Sequence, residues 1–411
     1  MSSRISRRTG IVGLAALVGI LAALVAATTA AGSRQAVTLT VATLPIANGY
    51  PLDVGIKHGF FDKQGITIKK TTLASGNDVV LAMANHNADV GYLGFVPMMI
   101  ARTQGIPLQL VAASEVEGTS AADNWQNILV KGSSSIRTPA DLAGKTIAVN
   151  ALKGVGEVMI KAALEKLKVD PNSIKLVALP FTSMRSAMNN GQVDAIWVPE
   201  PFLTQGLSID NDRIVMAPGP VLGQFWPIGG YAVNQDWAKA NPDTYKALRT
   251  ALNESLTYTQ AHPDEARALL PAGTPSNIRL PIWSTLVNRA TLLKLAKYTK
   301  EFGVINTLPN MAALVPSSIA SGLVLQGVVG GNSIAVKLEG KRVTSLNPGN
   351  YTFVVYDRSV HQSFGLKGPG VHKSTGVRQV GRVTWAVTLK KGTYTYSSSA
   401  KASLKNTIKV G

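Results

Sequence analysis

Cysteine is absent from all 411 residues. Its absence excludes disulfides, thiolate metal sites, cysteine nucleophiles and cysteine-linked lipids. Histidine is scarce, and His58, His86, His262 and His372 fall at no spacing that would gather a metal ion. No Ser-His-Asp pattern stands out either, so neither an enzyme nor a cofactor is expected. Acidic residues are few: 23 Asp and Glu against 41 Lys and Arg leave a formal charge of +18, which favours anionic ligands or surfaces as partners. Only residues 11–27 form a long apolar run. Arg4, Arg7 and Arg8 precede it and Ala30, Ala31, Gly32 and Ser33 follow, the order of a secretory signal over residues 1–33. The protein is therefore expected to be exported, to the periplasm or the cell surface. The run is near the lower limit for a membrane span, so either a cleaved leader or a retained N-terminal anchor fits.

What is present is globular composition, 45% apolar and 16% charged, in a chain long enough for at least two folding units. Residues 144–167 organise it. A short β-branched run at 146–149 leads through a glycine loop into Ile160, Ala163, Leu164 and Leu167, spaced i, i+3, i+4, i+7 as on one face of a helix. Such a joint leaves backbone N–H groups free at the helix start, where the helix dipole adds positive charge. It is either a seat for a polar ligand head or an ordinary strand-to-helix turn.

Residues 37–45 (VTLTVATLP) read as a strand, followed by a loop at 45–51, a helical piece at 56–60, a strand at 66–70, a helix start at 74–78 and a strand from Val90. Strand, helix, strand in this order implies parallel pairing. One unit appears twice: Ala82-Met83-x-Asn85-x-x-x-Asp89 matches Ala187-Met188-x-Asn190-x-x-x-Asp194, each followed by an apolar strand and a proline. The match suggests two lobes on one plan, with Asp89 and Asp194 as turn and strand-entry residues. The irregular stretches 114–126 and 217–230 read as the two crossings between lobes. Helices are expected from Pro242, from His262 and over 282–298, with a linker at 327–333.

Four motifs carry a family resemblance: Gly59-Phe60-Phe61 before Gly65-Ile66; Ala74-Ser75-Gly76-Asn77 with Asp89-Val90-Gly91; Thr138-Pro139-Ala140-Asp141-Leu142-Ala143-Gly144-Lys145; and Asp194-Ala195-Ile196-Trp197-Val198-Pro199-Glu200-Pro201-Phe202. Together they resemble the extracytoplasmic substrate-binding proteins of ABC importers in the nitrate, sulfonate, taurine and thiamine-precursor group, the NMT1/THI5-like proteins. The resemblance implies an α/β, two-lobed type II periplasmic-binding-protein fold over residues 34–326, with lobe one at 34–120 and 230–326 and lobe two at 121–229. It further implies a small ligand in the cleft, delivered to a membrane permease and its ATPase, and no nucleic-acid partner. The pyrimidine-synthesising enzymes of the same superfamily depend on a cysteine-rich motif that this chain lacks.

In that fold the cleft residues would be Asn48, Tyr50, Asn77 and Phe95 from lobe one, facing Leu152, Gly154, Val155, Gly156, Trp197 and Glu200 from lobe two. Amides at Val155 and Gly156 suit an anionic or carbonyl head, and Trp197 and Phe95 suit a flat or aliphatic body. Glu200 repels a sulfonate and pairs with an amine or aminopyrimidine. The expected ligand is thus a thiamine-precursor pyrimidine, an amine or a sulfonate of the taurine class. A surface sensor or adhesin using the same fold without transport is the alternative.

Residues 334–411 alternate as strands broken by Gly- and Pro-containing turns, the pattern of a small β-sandwich. Pro348-Gly349-Asn350-Tyr351, Ser359-Val360-His361-Gln362-Ser363-Phe364 and Lys391-Gly392-Thr393-Tyr394 resemble a cupredoxin. A blue-copper site needs two histidines, a cysteine and usually a methionine. Here His361 matches the first histidine, but Ser398, Lys401 and Leu404 stand at the other three positions, so no metal is expected. This tail has 13 Lys and Arg against only Glu339 and Asp357, a balance that favours contact with an anionic cell-envelope polymer or lipid surface.

Overall fold

The strand β1, Val37–Thr43, opens a computed structural model that describes residues 36–411 except Gly322 and Gln379. The expected signal at residues 1–33 lies outside the described residues. Lobe one continues with β2 Ile66–Thr72, β3 Val90–Gly94 and β4 Leu108–Val116, and the chain then crosses into lobe two. There β5 Gln126–Val130, β6 Thr146–Val149, β7 Lys175–Ala178, β8 Ala195–Pro199 and β9 Arg213–Met216 form a sheet of order β7-β6-β8-β5-β9. The chain returns as β10 Pro227–Asn234 and β11 Ile282–Trp283, completing a lobe-one sheet of order β11-β4-β10-β3-β1-β2.

The repeated motif does the same job in each lobe. Asp89 Oδ2 accepts from the Thr40 amide at 2.8 Å, and Asp194 Oδ2 accepts from the Thr146 amide at 2.8 Å. Each carboxylate thus ties one strand entry to its parallel neighbour, β1 to β3 and β6 to β8.

Helices flank both sheets. In lobe one α1 spans Tyr50–Lys57, α2 Gly76–Ala84 and α3 Phe95–Thr103; in lobe two α4 spans Val155–Lys166, α5 Phe181–Asn189 and α6 Phe202–Ile209. The helix α1 begins earlier than the expected piece at 56–60, because Pro51 sits in its first turn, where a missing N–H costs nothing. Ser75 caps α2 by accepting from the Asp78 amide at 3.2 Å. In α4, Ile160, Ala163 and Leu164 are fully buried as their spacing predicts, while Leu167 lies just past the helix end and is exposed. After β10, α7 Pro242–Ala261 packs on lobe one. The helix expected over 282–298 is shorter. Ile282 and Trp283 pair as β11 with Val116 and Glu115 of β4, and α8 runs only over Arg289–Glu301, capped by Asn288.

Two short strands, β12 Val287–Asn288 and β13 Ala320–Ser321, pair in parallel just before the tail. The expected linker at 327–333 is instead the end of β14 Leu323–Gly330 and the turn into β15 Ser333–Leu338. The alternating apolar residues Leu325 and Val329 are buried in the tail's own core, which makes this segment a strand despite its glycines. Next come β16 Lys341–Arg342, β17 Ser345–Leu346, β18 Gly349–Asp357 and β19 Gly365–Gly368, then β20 Val371–Ser374, β21 Gly381–Leu389, β22 Gly392–Ser397 and β23 Lys405–Val410. They form two five-stranded sheets, β16-β15-β14-β18-β21 and β17-β23-β22-β19-β20, stacked as a sandwich.

The first of these sheets docks on the main body beside both lobe crossings. Val324, Val354 and Tyr356 pack on Val116, Phe225 and Ile282. Tyr356 Oη donates to Asp123 Oδ2 at 2.8 Å, and Arg382 pairs with Asp123 Oδ1 at 3.3 Å while donating to the carbonyls of Leu280 and Pro281. Asp123 lies in the first crossing and Phe225 in the second.

Candidate functional site

The two main sheets point their strand ends at one cleft, with about 510 Å³ of unfilled space, its mouth included. Lobe one lines it with Leu44, Ile46 and Asn48 after β1, Gly76 and Asn77 at the start of α2, Tyr92 and Gly94 on β3, Glu115 on β4 and Ile228 on β10. Lobe two answers with Trp125 and Gln126, Asn150, Ala151, Gly154 and Val155 before and at the start of α4, Phe181 on α5, and Trp197 and Pro199 on β8. The lobes touch: a Cβ on Gly94 would lie 2.4 Å from Val155 Cγ2, and Asn77 Nδ2 donates across the cleft to the Leu152 carbonyl at 3.4 Å.

The chemistry concentrates on the lobe-one floor. Glu115 is 2% exposed, and its Oε1 accepts from Tyr92 Oη at 2.8 Å. Its Oε2 is buried without a partner. Asn48 is fully buried beside Glu115 and Tyr92 with neither amide atom in a well-formed hydrogen bond, and the Trp197 Nε1 donor has no partner. Buried polar atoms are nearly always hydrogen-bonded, so orphans sharing one cavity mark where a ligand's polar atoms belong. The other indole nitrogens nearby are satisfied: Trp125 Nε1 donates to the Val116 carbonyl at 3.0 Å and Trp283 Nε1 to the Asn48 carbonyl at 3.1 Å, which fixes Asn48 in place.

Two register shifts between β4 and β10 flank Glu115, which pairs with Gly229. Such irregularities re-aim a side chain. Gly229 is required there, since a Cβ would meet the Leu93 carbonyl oxygen at 2.7 Å and Glu115 Oε1 at 3.2 Å. Burial pushes the Glu115 carboxyl up to about 7, with Ser114, Tyr92 and Asn48 pulling the other way. Burial also pushes Glu117, in the adjacent crossing, up to about 8.

Of the residues expected from the sequence, Asn48, Asn77, Gly154, Val155 and Trp197 line the cleft. The other five do not. Phe95 is fully buried in the core at the start of α3. Tyr50 belongs to the first turn of α1, where burial and the nearby Asp53 and Glu200 push its hydroxyl up to about 12. Leu152 is 46% exposed and offers only its carbonyl. Gly156 serves at one remove: a Cβ there would sit 2.7 Å from the Trp197 ring, so glycine lets the helix seat the indole.

Glu200 is fully buried away from the cleft. Its carboxylate accepts from the Thr204 amide at 3.0 Å, Thr204 Oγ1 at 2.7 Å and the Arg279 amide at 3.0 Å, and its carbonyl accepts from the Ala47 amide at 3.0 Å. It caps α6 and straps lobe two to lobe one. The acidic residue that lines the cleft is Glu115, which the sequence placed in an irregular crossing. The signal available was a lone carboxylate closing the otherwise uncharged run LQLVAASEV.

In the tail, the positions that would hold copper do not fit a metal. His361 is exposed, Leu404 is apolar and buried, and Lys401 donates to Asn332 Oδ1 at 2.6 Å. Ser398 Oγ instead accepts from the Ser363 amide at 3.3 Å. Among the described residues no cluster of three or more His, Asp or Glu is placed to hold a metal ion.

The sequence profile described as NMT1/THI5 like matches residues 47–266. The taurine-binding periplasmic protein of Escherichia coli K12 is 28% identical over 234 residues, 56% of this chain and 69% of that protein. Two solved structures share the fold: the aliphatic sulphonate binding protein SsuA of E. coli, at 18% identity and a TM-score of 0.57 over 69% of this chain and 98% of that one, and the nitrate-binding protein NrtA of Synechocystis PCC 6803, at 16% identity and a TM-score of 0.59 over 69% and 87%. These relatives are solute-binding proteins of transporters, not enzymes. With the profile covering more than half of its length, the chain belongs to the NMT1/THI5-like substrate-binding family.

Proposed function

We propose that this protein is the exported solute-binding component of an ABC importer and that its ligand presents a protonated nitrogen, or paired N–H donors, to Glu115. The observation that carries the reading is the unpartnered Oε2 of Glu115 beside the unpartnered Asn48 amide, inside a cavity walled by Tyr92, Trp125, Phe181 and Trp197. A buried carboxylate with a free oxygen repels nitrate or a simple alkanesulfonate and attracts an ammonium or an aminopyrimidine edge. The ring walls suit a flat or short aliphatic body. An aminosulfonate such as taurine, the ligand named for the E. coli relative, also fits, with its ammonium on Glu115 and its anionic head at the first-turn amides of α4. The solute passes to a membrane permease driven by its ATPase, and the β-sandwich tail is a cupredoxin-like fold without copper. Packing of that tail against both lobe crossings supports a second reading, in which cleft closure is sensed rather than coupled to import.

The test is a thermal-shift panel of taurine, alkanesulfonates, nitrate, aminopyrimidines, thiamine and polyamines. A ligand at a hundredfold excess over its Kd stabilises the native state by about 2.7 kcal/mol. A nitrogen-bearing hit that Glu115→Gln abolishes is the expected result. Stabilisation by nitrate or a plain alkanesulfonate, indifferent to Glu115, would overturn the ligand class.

A further inference from the structure

From Arg358 to Gly411 the sequence contains ten Lys or Arg and not one Asp or Glu. The outer sheet of the tail turns that bias into a surface. Cross-strand partners share a face, and the pairing makes three outward rungs: Lys409 with Thr393 and Ser345; Thr407 with Thr395, Lys367 and His372; and Lys405 with Ser397, Gly365 and Ser374. Between these, Ile408, Tyr394, Tyr396 and Leu366 turn inward into the sandwich core. Lys367, Lys405 and Lys409 are all exposed, and none is in an ion pair among the described residues. Strand spacing of about 4.8 Å and a rise of about 6.8 Å per two residues set the three lysine stems roughly 12–14 Å apart, with hydroxyls filling the space between. At the rim the face opens into a depression where Arg342 joins Ser345, Asn406, Thr407 and Lys409.

We propose that this outer sheet binds a phosphate-bearing polyol polymer, which would hold the protein at an anionic envelope matrix while the cleft stays free. The ammonium groups supply point charges for phosphates, and the Ser and Thr rows supply hydrogen-bond partners for the polyol. A flat lipid surface fits less well, because the exposed large hydrophobics of the tail, Val360, Val377 and Val380, lie on loops off the sheet and none stands among the lysines on its five strands. The opposite sheet is the one docked on the lobes, so the basic face points away from them.

The test measures binding of fluorescently labelled poly(glycerol phosphate) to the full chain by anisotropy at low and physiological salt, beside phosphatidylglycerol vesicles and neutral dextran. The variant Lys367→Gln/Lys405→Gln/Lys409→Gln is expected to weaken polymer binding at least tenfold. The control Lys69→Gln/Lys246→Gln/Lys294→Gln, with the same loss of charge on exposed lobe-one lysines, is expected to change it less than twofold. Equal losses in the two variants would reduce the effect to bulk charge and overturn the proposal. So would a triple variant that binds like the parent, or lysine-dependent binding to the vesicles without binding to the polymer. Cleft ligands play no part in the readout, so the result is independent of the import reading.

Discussion

The floor of the cleft and the loop end of the tail are both polar and largely buried, yet their hydrogen bonds are handled in opposite ways. In the cleft, Glu115 Oε2, both amide atoms of Asn48 and Trp197 Nε1 have no partner. In the tail, Asp357 Oδ2 accepts from Thr375 Oγ1 at 2.5 Å, Thr375 Oγ1 accepts from the Phe364 amide at 2.8 Å, and Ser363 bonds to both Ser398 and Ser399, leaving Gln362 Oε1 without a partner there. A closed network contributes stability and leaves nothing for a ligand. A set of orphans facing a cavity carries a desolvation cost that a ligand can relieve. The difference separates a cavity that leaves hydrogen-bonding positions open from a polar end that satisfies nearly all of its own.

Exchanging the two kinds of group is the sharpest way to break this contrast. Glu115→Gln is expected to weaken an amine ligand by about 3 kcal/mol, roughly a hundredfold in Kd by calorimetry, with the apo melting temperature held or raised. Thr375→Val should do the reverse, costing about 1–3 kcal/mol of stability in urea unfolding with cleft affinity intact. If the tail variant weakened the ligand as much as the cleft variant, the distinction would fail.

Titration sharpens the comparison. Glu115 in the ligand-free cleft titrates near 7, so affinity for a permanently protonated amine should rise about tenfold per pH unit below that value and level off above it, with Glu115→Gln flat. Stability runs the other way. Glu115 and Glu117 bind protons more tightly folded than unfolded, so their contribution is full below the ordinary value of 4.5 and is lost as pH rises through about 7 and 8. The melting temperature of the ligand-free protein should fall across that window, and less so in Glu117→Gln.

The smallest effect is expected at Gly156→Ala. Its methyl group would press on the Trp197 ring, tilting the indole and weakening any ligand several-fold, about 1 kcal/mol, with a similar cost in stability. An unchanged Kd would remove Trp197 from the ligand's surroundings.

Much of the architecture was legible in the residues. Periodicity marked α4, the repeated Ala-Met-x-Asn-x-x-x-Asp motif marked matching strand entries in the two lobes, and alternation marked the tail's sheets. Asn48, Asn77, Gly154 and Val155 were within reach because each sits where a strand gives way to a loop or a loop to a helix, and Trp197 because it belongs to a short strand feeding the cleft. What misled was function read from residue type alone. Glu200 follows a strand end and carries a charge, but its carboxylate is spent on the start of α6 and on Arg279. Residues 282–283 have helix-like company yet pair as a strand, since the edge of β4 stood open beside them.

The sequence by itself determined the α/β class of the main body, the alternating strands of the tail and the tail's basic bias, because these depend on local pattern and composition. Tertiary structure alone decided which carboxylate lines the cleft and where the lysines of the tail gather. Glu115 is turned into the cavity by irregular pairing with β10, a strand more than a hundred residues away, and Lys367 meets Lys405 and Lys409 only through the strand between them. Side-chain direction at these positions is set by register between distant strands, which no local pattern encodes.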